Sequence, residues 1–281
     1  MMNPIGRAVW YIEMHFGSEI SLADVAQASG LSKFHLVRAF GIYAGRSVMR
    51  YVRARRLSEA AKRLVMESSG ILDVALGAGY NSHEAFTRAF KEQFGITPDQ
   101  FRRNPSLETI LIVEPIKMDN NEKDTSTNLS GPRLIEGDAM LIVGLKKRYD
   151  DKTGVQMPSQ WQAFQAHIGN IDNQKGDVAF GVLCNSDDDG NIDYITGVEV
   201  SRYMDVTKEL DGLRIAAQTY AVFRHEGHVA EIGRTWKAIF TDWLPEAEYK
   251  PVDAPQLERY GEGFNTKTGI GDIEIWIPIG K

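Results

Sequence analysis

Two arginines, Arg38 and Arg88, stand at matching places in a motif that the chain writes twice. A guanidinium presents parallel N–H donors that match the O6 and N7 acceptors of guanine, or two oxygens of a phosphate. Each arginine has companions at helical spacing: Lys33, Phe34 and Val37 with Arg38, and His83, Glu84 and Thr87 with Arg88. Phe34 and Val37 have the apolar surface for thymine methyl groups, and Glu84 could accept from the cytosine amine. A second set lies near the C-terminal end, where Glu274 and Trp276 alternate with Ile273, Ile275 and Ile277. A carboxylate beside an indole, with Trp161 and Tyr194 placed nearby, suits a small cationic or amphipathic ligand through charge pairing and cation–π contact. The ordinary alternatives are a solvated helix face for the first set and an edge glutamate beside a surface tryptophan for the second.

The elements that must hold the first set are legible. Residues 24–45 read DVAQASGLSKFHLVRAFGIYAG, and residues 73–95 read DVALGAGYNSHEAFTRAFKEQFG. The offset is 49 before the turn and 50 after it, so the second copy carries one extra turn residue. Each copy predicts a helix–turn–helix, with Gly30 or Gly79 supplying a positive φ in the turn. Ser21 and Asp24 make a capping-box start, and Ser32 caps the next helix. Leu36, Ala39, Phe40 and Tyr43 form the inward stripe of the first copy; Phe86, Ala89, Phe90 and Phe94 form that of the second. Apolar spacing predicts another helix over residues 5–16, and residues 47–66 predict a long one. About 20 residues at 1.5 Å each span roughly 30 Å, close to one turn of DNA. Arg50, Arg53, Arg55, Arg56, Lys62 and Arg63 on that helix are candidate phosphate contacts. Thr97-Pro98 starts a last short helix.

Charge divides the chain in the same place. Residues 1–104 hold 14 Lys and Arg against 9 Asp and Glu, and residues 105–281 hold 18 against 29. A basic front and an acidic back fit a nucleic-acid-binding module joined to something else. The one cysteine, Cys184, excludes an intrachain disulfide and lies in an apolar run. No apolar run approaches a membrane span and the N-terminus has no signal-peptide core, so the expectation is a cytoplasmic, nucleoid-associated protein without a membrane partner.

The expected domains are residues 1–107, a linker over 108–130, and residues 131–281. In the last, 133–148, VAFGVLC, IDYITGVEV, RIAAQTYAVFRH, PQLERYG and DIEIWIPI predict strands. SQWQAFQAHI and VAEIGRTWKAIFTDWL predict helices. The order β-α-β-β occurs twice, which predicts a pseudo-twofold α+β domain. The fold class is therefore two domains, an all-α tandem helix–turn–helix of seven helices followed by an α+β tandem β-α-β-β domain.

ARRLSEAA and GYNSHEAFTRAFKEQFGITP, within residues 5–104, resemble the AraC/XylS family of transcription regulators. TYAVFRHEGHVAEIGRTWKAIFTDWLP, LERYGEGF and DIEIWIPI resemble the GyrI-like small-molecule-binding domain, and the order of the two resembles the Rob-like group of regulators. The resemblance implies contacts to double-stranded promoter DNA at the eight outward positions. Val37, His83 and Glu84 depart from the glutamine-like readers of better-studied members, which leaves the target open. It also implies a cleft glutamate, for which Glu274, followed by Trp276 and Pro278, matches the family pattern; Trp161 and Tyr194 match no fixed motif. The reading is a regulator, more activator than repressor, with an asymmetric DNA site, a small-molecule effector and RNA polymerase as partners. No cofactor, metal site or catalytic residue is expected: HEGH (225–228) lacks a third ligand and DDDGNID (187–193) lacks the distal glutamate of a calcium loop. The alternatives are a small-molecule hydrolase built on the same domain, or a protein-docking surface without a ligand.

Overall fold

In the computed structural model, residues 3–117, 129–150, 153–203 and 209–280 are described. The first seven helices follow their sequence signals closely. Asn3 caps α1 (Pro4–His15) and accepts from the Gly6 amide. Ser21 and Asp24 close a reciprocal capping box on α2 (Leu22–Ser29). Gly30 then takes φ 77°, and Ser32 caps α3 (Lys33–Ala44). Ser47 caps α4 (Val48–Met66). The second copy forms α5 (Ile71–Gly77) and α6 (His83–Phe94), joined through Gly79 at φ 79°, and Thr97 with Gln100 boxes α7 (Pro98–Arg103).

Most of the basic run on α4 is structural. Arg55 is buried, bonds Glu13 at 2.9 Å and Glu59 at 3.1 Å, and donates to the Val113 carbonyl. Arg56 donates to the carbonyls of Phe16 and Ser18. Lys62 pairs with Glu59 and Glu114, Arg63 with Glu67, and Arg50 with Asp150. Arg53 is exposed and, among the described residues, makes no hydrogen bond or ion pair. Five of the six candidate phosphate contacts are thus engaged by protein groups.

Part of the expected linker also belongs to the helical body. Ile110 is buried, the Val113 amide donates to Ser58 Oγ, and the Ile116 amide donates to Tyr51 Oη. These bonds lay residues 110–116 along α4. Residues 118–128 of the expected linker lie outside the described residues.

The acidic half forms one antiparallel sheet. Its strands are β1 (Arg133–Gly137), β2 (Met140–Tyr149), β3 (Gln174–Cys184), β4 (Ile192–Val200), β5 (Asp211–Ile215), β6 (Gln218–His225), β7 (Lys250–Pro251), β8 (Gln256–Tyr260) and β9 (Ile273–Gly280). The order is β1-β6-β9-β8-β3-β4-β2-β5, with β7 paired to β9. Two expected strands are each two strands in the structure: 133–148 divides into β1 and β2, and the RIAAQTYAVFRH stretch into β5 and β6. In both pairs the leading strand crosses to the other half, β1 onto β6 and β5 onto β2. The halves are thereby interlocked around the central β3–β8 pair. Helices α8 (Met157–Phe164) and α9 (Ile232–Ala238, continued by a π-type turn to Trp243) cover one face.

The apolar core does not respect the domain boundary. Leu57, Leu64, Phe86, Phe90 and Phe101 form a cluster made wholly of helical-half residues around the second copy. The core of the first copy instead runs without interruption into Tyr194, Trp236, Phe240 and Ile275, Ile277 and Ile279 of β9.

Candidate nucleic-acid and ligand sites

The reading face of α6 is open. Glu84 and Arg88 are exposed, and His83 and Thr87 are half-buried. Glu84 sits in the first turn, where hydrogen bonds to its own backbone and to Ser82 hold its carboxyl below the usual range. His83 lies 3.9 Å from Asp99 at the start of α7. Among the described residues, the apolar cluster beneath this helix includes no residue of the C-terminal half.

The matching face of α3 is covered. Lys33 is exposed, but Phe34 and Val37 retain only 6% and 5% of their surface, and α3 packs against α9. The Arg38 guanidinium stacks over the Trp236 ring, 5.1 Å from its centroid. Loss of water pulls the Arg38 pKa down to about 10, with Glu258 and Tyr194 opposing the shift. Four residues expected to meet DNA together are therefore split in this structure between solvent and the other domain. A helix cannot lie in a major groove while this face is occupied.

The helix-covered face of the sheet holds a carboxylate that is not among the sequence candidates, Glu258. It is buried on the helix-covered face of β8. Oε1 accepts from Trp236 Nε1 at 2.8 Å, and Oε2 accepts from Tyr194 Oη at 2.7 Å and Tyr260 Oη at 3.1 Å. Trp161 Nε1 donates to Tyr194 Oη at 2.9 Å, and its ring meets Tyr260 edge-on. Burial and the nearby Glu258 carboxylate push both tyrosines well above their usual range, so they stay neutral donors. None of the three donors to Glu258 carries a charge of its own. Glycine at 181 makes room for this arrangement: a Cβ there would lie 2.3 Å from Tyr194 Oη and 2.8 Å from Glu258 Oε2.

The pseudo-twofold is visible in the cage. Trp161 on α8 and Trp236 on α9 each stand fifth in their helices, and each aims its indole N–H at the Tyr194–Glu258 pair. The residues just before them also correspond. Gln160 accepts from Tyr149 at the end of β2, and Thr235 bonds His225 at the end of β6.

Glu274 and Trp276 do not join this site. The register places Glu274 between Arg224 on β6 and Arg259 on β8, while the isoleucines of β9 point to the helices. Arg133 also bonds Glu274, and the Trp276 indole donates to it at 3.0 Å. The expected quartet therefore divides: Trp161 and Tyr194 lie at the Glu258 cage, Glu274 and Trp276 on the opposite face. The alternation along β9 is as expected, and it is the isoleucines that share a face with the Glu258 cage.

The signals set aside in the sequence have structural uses. His225 is buried against Thr235 and the His228 carbonyl, and His228 accepts from the Ala230 amide. Asp187 accepts from the backbone of Asp189 and Asn191 in the β3–β4 turn. Cys184 is a buried free thiol whose pKa burial raises to about 11. Among the described residues there is no cluster that could hold a metal ion, and no helix is long and apolar enough to cross a membrane.

A doubled helix–turn–helix and an interlocked α+β domain with an aromatic, acidic cage define a regulator that joins DNA binding to small-molecule binding on one chain. The chain belongs to the GyrI-like small-molecule-binding family through residues 131–280, and carries an AraC-type helix–turn–helix domain that matches over residues 25–104. It is 27% identical over 282 residues to the transcriptional regulator Rob of Salmonella typhimurium, covering 96% of each chain. It is 46% identical over 88 residues to the probable transcription factor PqrA of Proteus vulgaris, covering 31% of this chain and 72% of that one. The structure of SAV2435 bound to tetraphenylphosphonium matches at 23% identity with a TM-score of 0.46, covering 54% of this chain and 94% of that chain.

Proposed function

We propose that the protein activates transcription from asymmetric promoter sites, together with RNA polymerase, in response to a small cationic or amphipathic molecule bound at Glu258. The observation that carries the ligand reading is the cage itself: a buried carboxylate with three neutral donors and aromatic walls. Charge pairing with Glu258 and cation–π contact with Trp161 and Trp236 would each favour an apolar cation over a neutral analogue. On the DNA side, Arg88 with His83, Glu84 and Thr87 reads one major-groove segment. Arg38 with Lys33, Phe34 and Val37 reads another when uncovered. The two sets differ in chemistry, so the site is neither a repeat nor a palindrome.

Titration of the full chain with tetraphenylphosphonium, followed by tryptophan fluorescence, tests the ligand reading. Glu258→Gln keeps the acceptor for the indole and removes the charge, and is expected to weaken binding by about tenfold to a hundredfold. Glu274→Gln, on the other sheet face, is expected to leave binding within about twofold of wild type. Equal loss in both variants, or loss only in the second, would move the site away from Glu258.

A further inference from the structure

The cover over α3 and the ligand cage share a wall. Trp236 donates to Glu258 on one side and lies under the Arg38 guanidinium on the other. The hydrogen bonds that reach Glu258 from its own domain all come from neutral groups. Arg38, a residue of the first reading helix, lies over the same Trp236 ring, and the Glu258 charge acts on it across that wall. A guanidinium over an indole beside a carboxylate has the chemistry that the cage would offer a cationic ligand.

The fit is close but incomplete. Arg38 Nε and His35 Nε2 are buried without hydrogen-bond partners, and so are both amide atoms of Gln256, two residues before Glu258 on the same strand face. Groups left unpaired on burial favour opening, because water satisfies them once the contact parts. Phe34 and Val37 oppose opening, since their surface returns to water. A contact balanced in this way can be shifted by a ligand of ordinary affinity.

We propose that the ligand site holds the first reading helix shut: Arg38 is a resident cation against Trp236 and Glu258, and a cationic ligand displaces it and frees α3 for the major groove. This rests on the ligand reading above. Arg38 then has two mutually exclusive partners, the cage and DNA. Ligand and DNA each favour the open arrangement, so each strengthens the binding of the other. The second unit is outside the switch, because α6 belongs to a separate apolar cluster.

Two readouts on the full chain test this, tetraphenylphosphonium affinity and amide hydrogen exchange of residues 33–44. In the wild type, the cation should speed exchange in 33–44 by about tenfold and leave 83–94 unchanged. Arg38→Met removes the resident charge and keeps an apolar stem. It should tighten the cation by about tenfold, because ligand no longer competes with a closed state. Glu258→Gln should speed exchange in 33–44 with no ligand present, an arm independent of any ligand; thermal unfolding checks that this variant is folded. Arg38→Lys, which keeps the charge without the planar stack, should fall between wild type and Arg38→Met.

Glu258-dependent cation binding that is unchanged in Arg38→Met, with exchange in 33–44 unmoved, would overturn the latch and leave the ligand site standing. No cation binding by wild type or Arg38→Met would overturn the ligand reading and the displacement with it. Unchanged exchange in Glu258→Gln would overturn the role of Glu258 in holding α3.

Discussion

The two helix–turn–helix units share a pattern and a backbone, yet only one presents its reading face. Both reading helices begin after a capping serine, span 12 residues and end at a glycine in the left-handed region. The difference lies in the outward residues. Phe34 and Val37 in the first unit stand where the second has Glu84 and Thr87. The apolar pair is buried against α9 and the polar pair is not. Arg38 and Arg88 occupy equivalent places, one over an indole and one in solvent. Duplication preserved the frame, and a few side chains decided which copy could be covered.

Removing each arginine in turn should break this symmetry most sharply. Without ligand, Arg88→Ala is expected to weaken binding to a selected DNA site by about tenfold to a hundredfold, the worth of a bidentate base contact. Arg38→Ala should change it by less than about threefold, because its partner is then the cage. Fluorescence anisotropy with labelled duplex measures both. Equal losses would mean that both faces meet DNA without ligand. A smaller effect is expected from Gly181→Val, which forces Tyr194 and Glu258 apart in a space with no room for a Cβ. It should lower stability by about 1–3 kcal/mol in urea unfolding and loosen α3 while leaving α6 unchanged.

Near neutral pH the smallest effect comes from protonation. His35 in the first unit is buried, and its counterpart in the second is Ala85. Burial, helped by the nearby Arg38 charge, takes the His35 pKa from 6.5 down to about 3. The unfolded chain binds the extra proton between those values, so this contribution to stability is whole above pH 6.5 and declines as pH falls towards 3. The loss between pH 7 and pH 6 is about 0.7 kcal/mol, and the slope approaches about 1.4 kcal/mol per pH unit below that. Urea midpoints across this range should show the slope in the wild type and lose it in His35→Gln.

The helical half was legible almost residue by residue, because caps, turn glycines and apolar stripes are local signals. The α+β order was legible too, but not the breaks at 138–139 and 216–217, where an apparently single strand changes partner. Period-two alternation says which residues of a strand share a face; it does not say which face meets the helices. Alternation alone therefore singles out Glu274 on β9 and gives no sign of Glu258, within QLERY, on the helix-covered face. Leu257 and Glu258 are both buried, on opposite faces, so hydrophobicity could not orient β8. The register resolves it, placing Arg224 and Arg259 beside Glu274. Trp161 and Tyr194 do lie together, joined by a hydrogen bond, as bulky aromatics with a polar tip are used where a buried hydrogen bond is made. The apolar character of Phe34 and Val37 suits thymine methyl groups and a protein core alike, and in this structure both side chains lie in the core shared with Trp236.

The interlocking of the sheet has a consequence in time. Because β1 pairs with β6 and the cage is completed by α9 and β8, the cover over α3 draws on the last quarter of the chain. Synthesis runs from the N-terminus at about 5–20 residues per second, so Glu258 follows Arg38 by roughly 10–45 s. During that interval the first helix–turn–helix is on the growing chain and its cover is not. Phe34 and Val37 therefore spend the early life of every molecule in water, and the nascent chain passes through an uncovered form before it acquires the closed one.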